Sequence, residues 1–291
     1  MTQKLFLAGA ICAISLKALA QSADPSAARE IAKIDGEYSN LSVAKGMPAA
    51  SVEYFAEHGV AFAPGPVDGK KYWAGRTKFP GTLIWQPIFA FAAGAADLGY
   101  TTGMWELKNG NEPLSLGFGH YVTVWAKQSN GQWKMALDVG TENPQPPESS
   151  PSLQLLPPDV TAGTQPREKS RQNLQKAEQR FAETARDGVG KAILDYATND
   201  IRIYREKSFP AVGLVAAKLM QTPEHGKVSF ERVGLKMSRS GDLSYSYGNY
   251  SEARGNVVEH GIYLMIWRAN MNGDWKLALN LQKKLPPAVK P

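Results

Sequence analysis

The residues of this chain best suited to metal or nucleophilic chemistry are four histidines (His58, His120, His225 and His260) and one cysteine, Cys12. The histidines have no partners at metal-ligand spacing, and no HExxH, GxSxG or phosphate-cradling loop is present. Acid–base chemistry by an isolated imidazole or carboxylate is what remains. His120 in GHYVTVW and Asp138 at the end of KMALD are the two weak catalytic candidates, because titratable groups held in clefts tend to be functional. The structural alternatives are a hydrogen-bonded strand histidine and a solvated strand-end carboxylate. Glu53 and the tyrosines Tyr38, Tyr100 and Tyr121 could assist, but no spacing joins them into a constellation. Binding is therefore preferred to catalysis, and neither a metal nor a cofactor is expected.

The elements that carry these residues occur twice. Asp97, Leu98, Tyr100 and Gly103 match Asp242, Leu243, Tyr245 and Gly248. Gly119, Tyr121, Trp125, Asn130-Gly131, Trp133, Lys134, Ala136 and Leu137 match Gly261, Tyr263, Trp267, Asn272-Gly273, Trp275, Lys276, Ala278 and Leu279 at one constant offset. Asn-Gly between apolar runs is a hairpin signal, since both central residues of that turn favour positive φ. Each block reads as three antiparallel strands. The tryptophans are expected in the core, and Asp97 and Asp242 as turn caps. The repeat also shows that Ile262 stands where His120 does, and Asn280 where Asp138 does.

Residues 1–20, MTQKLFLAGAICAISLKALA, read as a secretory signal peptide: Lys4, an apolar run, then Ala18-Leu19-Ala20. Cys12 lies inside it, so the rest of the chain has no thiol and no disulfide. Export without disulfides implies a periplasmic or secreted protein of a bacterial envelope. The formal charge of +6 falls by two with Lys4 and Lys17. The remaining basic residues are scattered, with no stripe interleaved with aromatics, which argues against nucleic-acid binding. No membrane span is expected once the signal is removed.

Asp24-Pro25 opens a helix with Ile31, Ile34, Tyr38 and Leu41 on one face, ended by Gly46. A shorter helix from Pro48 carries Val52 and Phe55, with His58 at its end. A strand over 60–62 and a segment around Trp73 follow. Thr82 to Ala92 is a long strand whose Pro87 demands an edge, bend or bulge. Residues 146–167 are rich in proline and serine and read as a linker. The pattern then restarts: a helix with Leu174, Ala177, Phe181 and Ala185, a helix over 189–197, a strand over 201–204, a helix over 212–220, and strands from Val228.

The repeated strands are apolar on both faces: His120, Val122 and Val124 on one parity, Tyr121, Thr123 and Trp125 on the other. A sheet apolar on both sides needs cover on both sides. The helices cover one face, and the two halves are expected to cover each other's second face. That makes an intramolecular pseudo-dimer, with roughly 800 Å² per partner an ordinary interface. A further homodimer is compatible with this.

The segments DLGYTTGMWEL, GHYVTVWAKQSNGQWKMALDVGTENP and VAFAPGPVDGKKYW resemble the nuclear transport factor 2-like superfamily, in particular exported SnoaL-like and ketosteroid-isomerase-like proteins of unassigned function. The resemblance covers most of residues 27–145 and recurs more weakly over about 168–285. It implies an α+β fold of two tandem cone-shaped domains, 24–145 and 168–285, each a curved antiparallel sheet wrapped around its N-terminal helix. It implies a pocket between helix and sheet; the aromatic residues expected near it (Tyr38, Trp85, Trp105 and Trp125) and the lack of a catalytic constellation favour a small apolar ligand, or a paired interaction module, over catalysis. Tyr38, Trp85, Trp105, His120 and Asp138 are the expected ligand-binding residues of the first cone. The alternative is a cofactor-free isomerase, cyclase or hydrolase with a His or Asp in that pocket. Ketosteroid isomerase uses an Asp base with a Tyr and a protonated acid, but no pattern here transfers those roles.

Overall fold

The computed structural model describes residues 24–110, 114–147, 151–158, 166–220, 227–270 and 272–286. Residues 1–20, expected as a signal peptide and holding Cys12, and His225 lie outside them. The first half runs α1 (Ser26–Lys45), α2 (Met47–Tyr54), β1 (Phe55–Phe62), β2 (Pro66–Asp68), α3 (Gly69–Ala74), β3 (Thr82–Ala92), β4 (Leu98–Lys108), β5 (Ser115–Lys127), β6 (Trp133–Asn143) and β7 (Gln154–Leu156). The second runs α4 (Arg167–Ala185), α5 (Val189–Tyr196), β8 (Ala197–Arg205), β9 (Ala211–Val212), α6 (Gly213–Met220), β10 (Lys227–Met237), β11 (Leu243–Arg254), β12 (Val257–Ala269) and β13 (Trp275–Lys284). The chain is thus two α+β units in tandem, each a sheet with its own leading helix.

The sheets have the orders β2-β1-β6-β5-β4-β3-β7 and β10-β11-β12-β13-β8-β9. They are mixed rather than wholly antiparallel. β1 runs parallel to β6, and β8 parallel to β13, because each follows a helix that returns the chain to the same end of the sheet. β3 is bulged between Pro87 and Phe89, which accommodates the missing N–H of Pro87. β10 is bulged at the same place in the repeat, after Arg232. His58 lies within β1, not at a helix end: α2 stops at Tyr54, and Phe55 begins the strand with its ring buried. The Pro-rich segment 146–167, expected only to connect the halves, adds β7 to the first sheet, parallel to β3. Asp68 caps α3, its Oδ1 accepting from Lys71 N at 3.0 Å.

The two faces of each sheet have different partners. α1 packs on the face that carries Tyr121, Trp125, Trp133 and Met135. α4 packs on the equivalent face, with Tyr263, Trp267, Trp275 and Leu277. The other faces meet. One buried cluster joins Val122, Val124, Leu137 and Val139 of the first sheet to Ile262, Leu264, Leu279 and Leu281 of the second. Asp97 and Asp242 are turn acceptors, but each serves the other half. Gly94 N donates to Asp242 Oδ2 at 2.7 Å, and Arg239 N donates to Asp97 Oδ2 at 3.0 Å. Gly94 and Arg239 both stand three residues before their own aspartate, so the two contacts are one contact made twice about a pseudo-twofold axis. Glycine permits a second repeated feature. A Cβ on Gly119 would lie 2.3 Å from the Trp105 ring, and one on Gly261 2.2 Å from the Tyr250 ring, each ring coming from the paired strand.

Candidate functional site

In the first cone, α1 turns Ile31, Asp35, Tyr38 and Ser42 toward the sheet at helical spacing. Asp35 is wholly buried: its Oδ1 accepts from Trp85 Nε1 at 2.9 Å and its Oδ2 from Tyr121 OH at 2.7 Å. Burial pushes its pKa up to about 6, against hydrogen bonds from Tyr121, Trp85 and Thr101 that favour the charged form. Tyr38 OH shares a hydrogen bond with Ser51 Oγ of α2 at 2.8 Å. Below them, Asp138 of β6 accepts from Thr123 Oγ1 of β5 at 2.7 Å. It keeps some surface open to a cavity while protein surrounds it, and burial pushes its pKa up to about 6 as well, with a smaller contribution from the charge of Asp35.

The structure brings four of the five expected binding residues together. Tyr38, Trp85, Trp105 and Asp138 line one cavity, with Tyr121 and Thr123. His120 is not among them. It differs in parity from Thr123, which stands opposite Asp138, and so it faces the second half. There its Nδ1 pairs with Asn143 Oδ1 at 2.7 Å, and its ring lies 6.2 Å from that of Tyr204 and 6.5 Å from that of Phe209. Burial lowers its pKa, favouring the neutral ring. Tyr100 also belongs to the shared interface rather than to the cavity.

The first cavity is small, about 40 Å³. That is room for a few waters. Tyr38, Trp85 and Trp105 fill the rest of the cone. The second cone has the same plan with smaller side chains. Leu174, Glu178 and Phe181 repeat the spacing of Ile31, Asp35 and Tyr38 on the leading helix. Phe230 occupies the place of Trp85, two residues before the bulge. The pocket left between α4 and the sheet is about 310 Å³, lined by Phe181, Phe230, Tyr263, Met265 and Trp267 with Glu178, Arg232 and Ser246. Arg232 Nη1 donates to Glu178 Oε2 at 2.7 Å. Burial raises the Glu178 pKa, opposed by hydrogen bonding from Ser246 and by the Arg232 charge.

Asp35 and Glu178 were not anticipated from the sequence. The signal was present: an acid at the fourth position after Ile31 and after Leu174, on the apolar stripe of both leading helices, where an unpaired carboxylate is costly. Among the described residues no group of three or more His, Cys, Asp or Glu is arranged to hold a metal ion. Among the described residues, too, no helix is long and apolar enough to cross a membrane.

No family model matches the sequence, and no curated protein matches it. Solved structures are similar to parts of it. An NTF-2 like protein of unknown function from Shewanella oneidensis aligns at 13% identity and TM-score 0.33, covering 39% of this chain and 98% of its own. An NTF2-like protein of unknown function from Pseudomonas putida aligns at 17% and 0.35, covering 43% and 98%. A ketosteroid isomerase-like protein from Erwinia carotovora aligns at 18% and 0.31, covering 39% and 94%. Each likeness is one of fold. The cone implied by the nuclear transport factor 2-like resemblance, a curved sheet closed by its leading helix, is the architecture of both halves of this chain.

Proposed function

We propose that the chain is an exported, cofactor-free binding protein for a small, largely apolar molecule, and that the second cone holds the ligand. One observation carries this reading. The second cone keeps a pocket of about 310 Å³, and small-molecule sites begin at about 300 Å³, while the first is filled to about 40 Å³. Its walls are aromatic, with ring centroids 5.6 Å apart for Phe181 and Trp267 and 5.0 Å apart for Phe230 and Tyr263. Export rests on residues 1–20, and a mature chain beginning at Gln21 in the envelope fraction is the expected finding. The test of binding is a thermal-shift screen with single-ring and fused-ring apolar compounds, since a ligand that binds only the folded form raises the melting point. Ala182→Trp, which projects an indole from α4 into the second pocket, should abolish the shift. A shift that survives this substitution refutes the assignment to the second cone.

A second reading is catalysis in the first cone by Asp138, without His120. It is favoured by the position of Asp138, a carboxylate protonating near pH 6 on the wall of an apolar cavity. It requires the cone to open, and Asp138→Asn should then remove any isomerase, cyclase or hydrolase turnover that the wild type shows.

A further inference from the structure

The hydrogen-bonding inventory of the second cone is unbalanced. Its one carboxylate, Glu178, is already engaged by Arg232 at 2.7 Å and by Ser246. The donors exceed it. A guanidinium has five N–H groups. Arg232 uses one of them, on Glu178, among the described residues, and 48% of its side chain is exposed at the pocket mouth. The indole N–H of Trp267 is buried with no partner among the described residues. Its counterpart Trp125 donates to Thr101 Oγ1 at 2.8 Å. Ser246 stands where Thr101 does and bonds Glu178 as Thr101 bonds Asp35, but it does not accept from the second indole. The Tyr263 hydroxyl is a further donor in the lining, where its counterpart Tyr121 donates to Asp35. The apolar part of the wall is Phe181, Ala182, Phe230 and Met265; the amides of Gln175 and Gln179 on α4 complete the lining, and Gln179 Nε2 donates to Glu183 Oε1 at 3.0 Å.

A site with a guanidinium in surplus, its one carboxylate already paired, and an apolar floor selects a ligand that carries an anionic acceptor at one end and is apolar at the other. We infer that the second cone takes a small amphipathic carboxylate, its ring or short apolar body between Phe181, Phe230 and Met265 and its carboxylate on the Arg232 guanidinium. The planar fork of arginine matches a carboxylate with two parallel hydrogen bonds. A cationic ligand is disfavoured: Arg232 stands at the mouth and already neutralises Glu178. This inference rests on the reading of the second cone as a binding site and adds the ligand's chemical class.

The test is calorimetric titration of the full chain with phenylacetate and with neutral phenylacetamide, which share one ring and differ in charge. Phenylacetate should bind roughly tenfold or more tightly than the amide, as a hydrogen bond to a charged group allows. Arg232→Gln should erase that preference. Glu178→Gln releases the guanidinium from its present partner and should tighten phenylacetate further. If acid and amide bind equally to wild type and both variants, the carboxylate inference is overturned while the cone reading stands. If neither compound binds and the apolar screen is also blank, both fall together. Should Arg232→Gln fail to fold, Glu178→Gln decides alone: no gain for phenylacetate overturns the inference.

Discussion

Asp35 offers the sharpest check on the first cone. Its carboxyl titrates at about 6 in the folded chain and at 3.8 in the absence of burial. The folded state therefore holds the proton more tightly than the unfolded state does. That stabilisation is complete below pH 3.8 and is lost as the pH rises through about 6. A difference of about two pKa units corresponds to about 3 kcal/mol, of which about 2 kcal/mol falls between pH 4 and 7. Asp35→Asn cannot titrate. It carries its own fixed cost, because the Asn amide must rearrange its bonds with Trp85 and Tyr121, but that cost does not depend on pH. The wild type should thus lose about 2 kcal/mol relative to Asp35→Asn between pH 4 and 7. Asp138 adds to the gap in the same direction, since a neutral residue 35 no longer raises its pKa. The assay is urea unfolding of both proteins at several pH values with equal m-values. A stability difference that stays constant across this range refutes the buried, proton-holding carboxylate.

Three further outcomes are expected. Thr101→Val keeps shape but orphans the buried Trp125 indole and removes a hydrogen bond from Asp35, and should cost about 1–3 kcal/mol in the same unfolding assay. His120→Ala removes the Asn143 bond and the contacts with Tyr204 and Phe209, and should lower stability by about 1–3 kcal/mol while leaving ligand affinity in the second cone within twofold; a loss of binding instead would reinstate His120 as a site residue. A chain cut at a protease site inserted between Gly163 and Thr164 should still elute as one species, held by the shared apolar cluster; two separate soluble monomers on gel filtration would show that the sheets do not need each other.

The repeat was the most legible feature of the sequence. Its two groups of matches marked the strands that became β4–β6 and β11–β13, and the double apolar parity required a second cover for each sheet. Parity also held the answer for His120, because Thr123, not His120, shares a face with Asp138. What parity could not say was which face enclosed the cavity. Asp35 and Glu178 were hidden because a helix stripe is read by its apolar members, and an acid among them looks like an interruption until the sheet supplies its donors. β7 was hidden because a strand of three residues with prolines after it has no period to detect. Cavity size was beyond any pattern: it depends on Trp85 against Phe230 and Tyr38 against Phe181, pairs that a period of large aromatic positions does not tell apart by volume.

The exchanged aspartates, Asp97 capping a turn of the second half and Asp242 a turn of the first, have a consequence for specialisation. In a complex of two identical subunits, a substitution in one active hollow is necessarily made in the other. Joining the subunits end to end removes that coupling while retaining the grip between them. One compartment is then free to become a rigid, closed support with Asp138 at its wall, while its twin, with Asn280 at the same station, stays roomy enough to admit a guest.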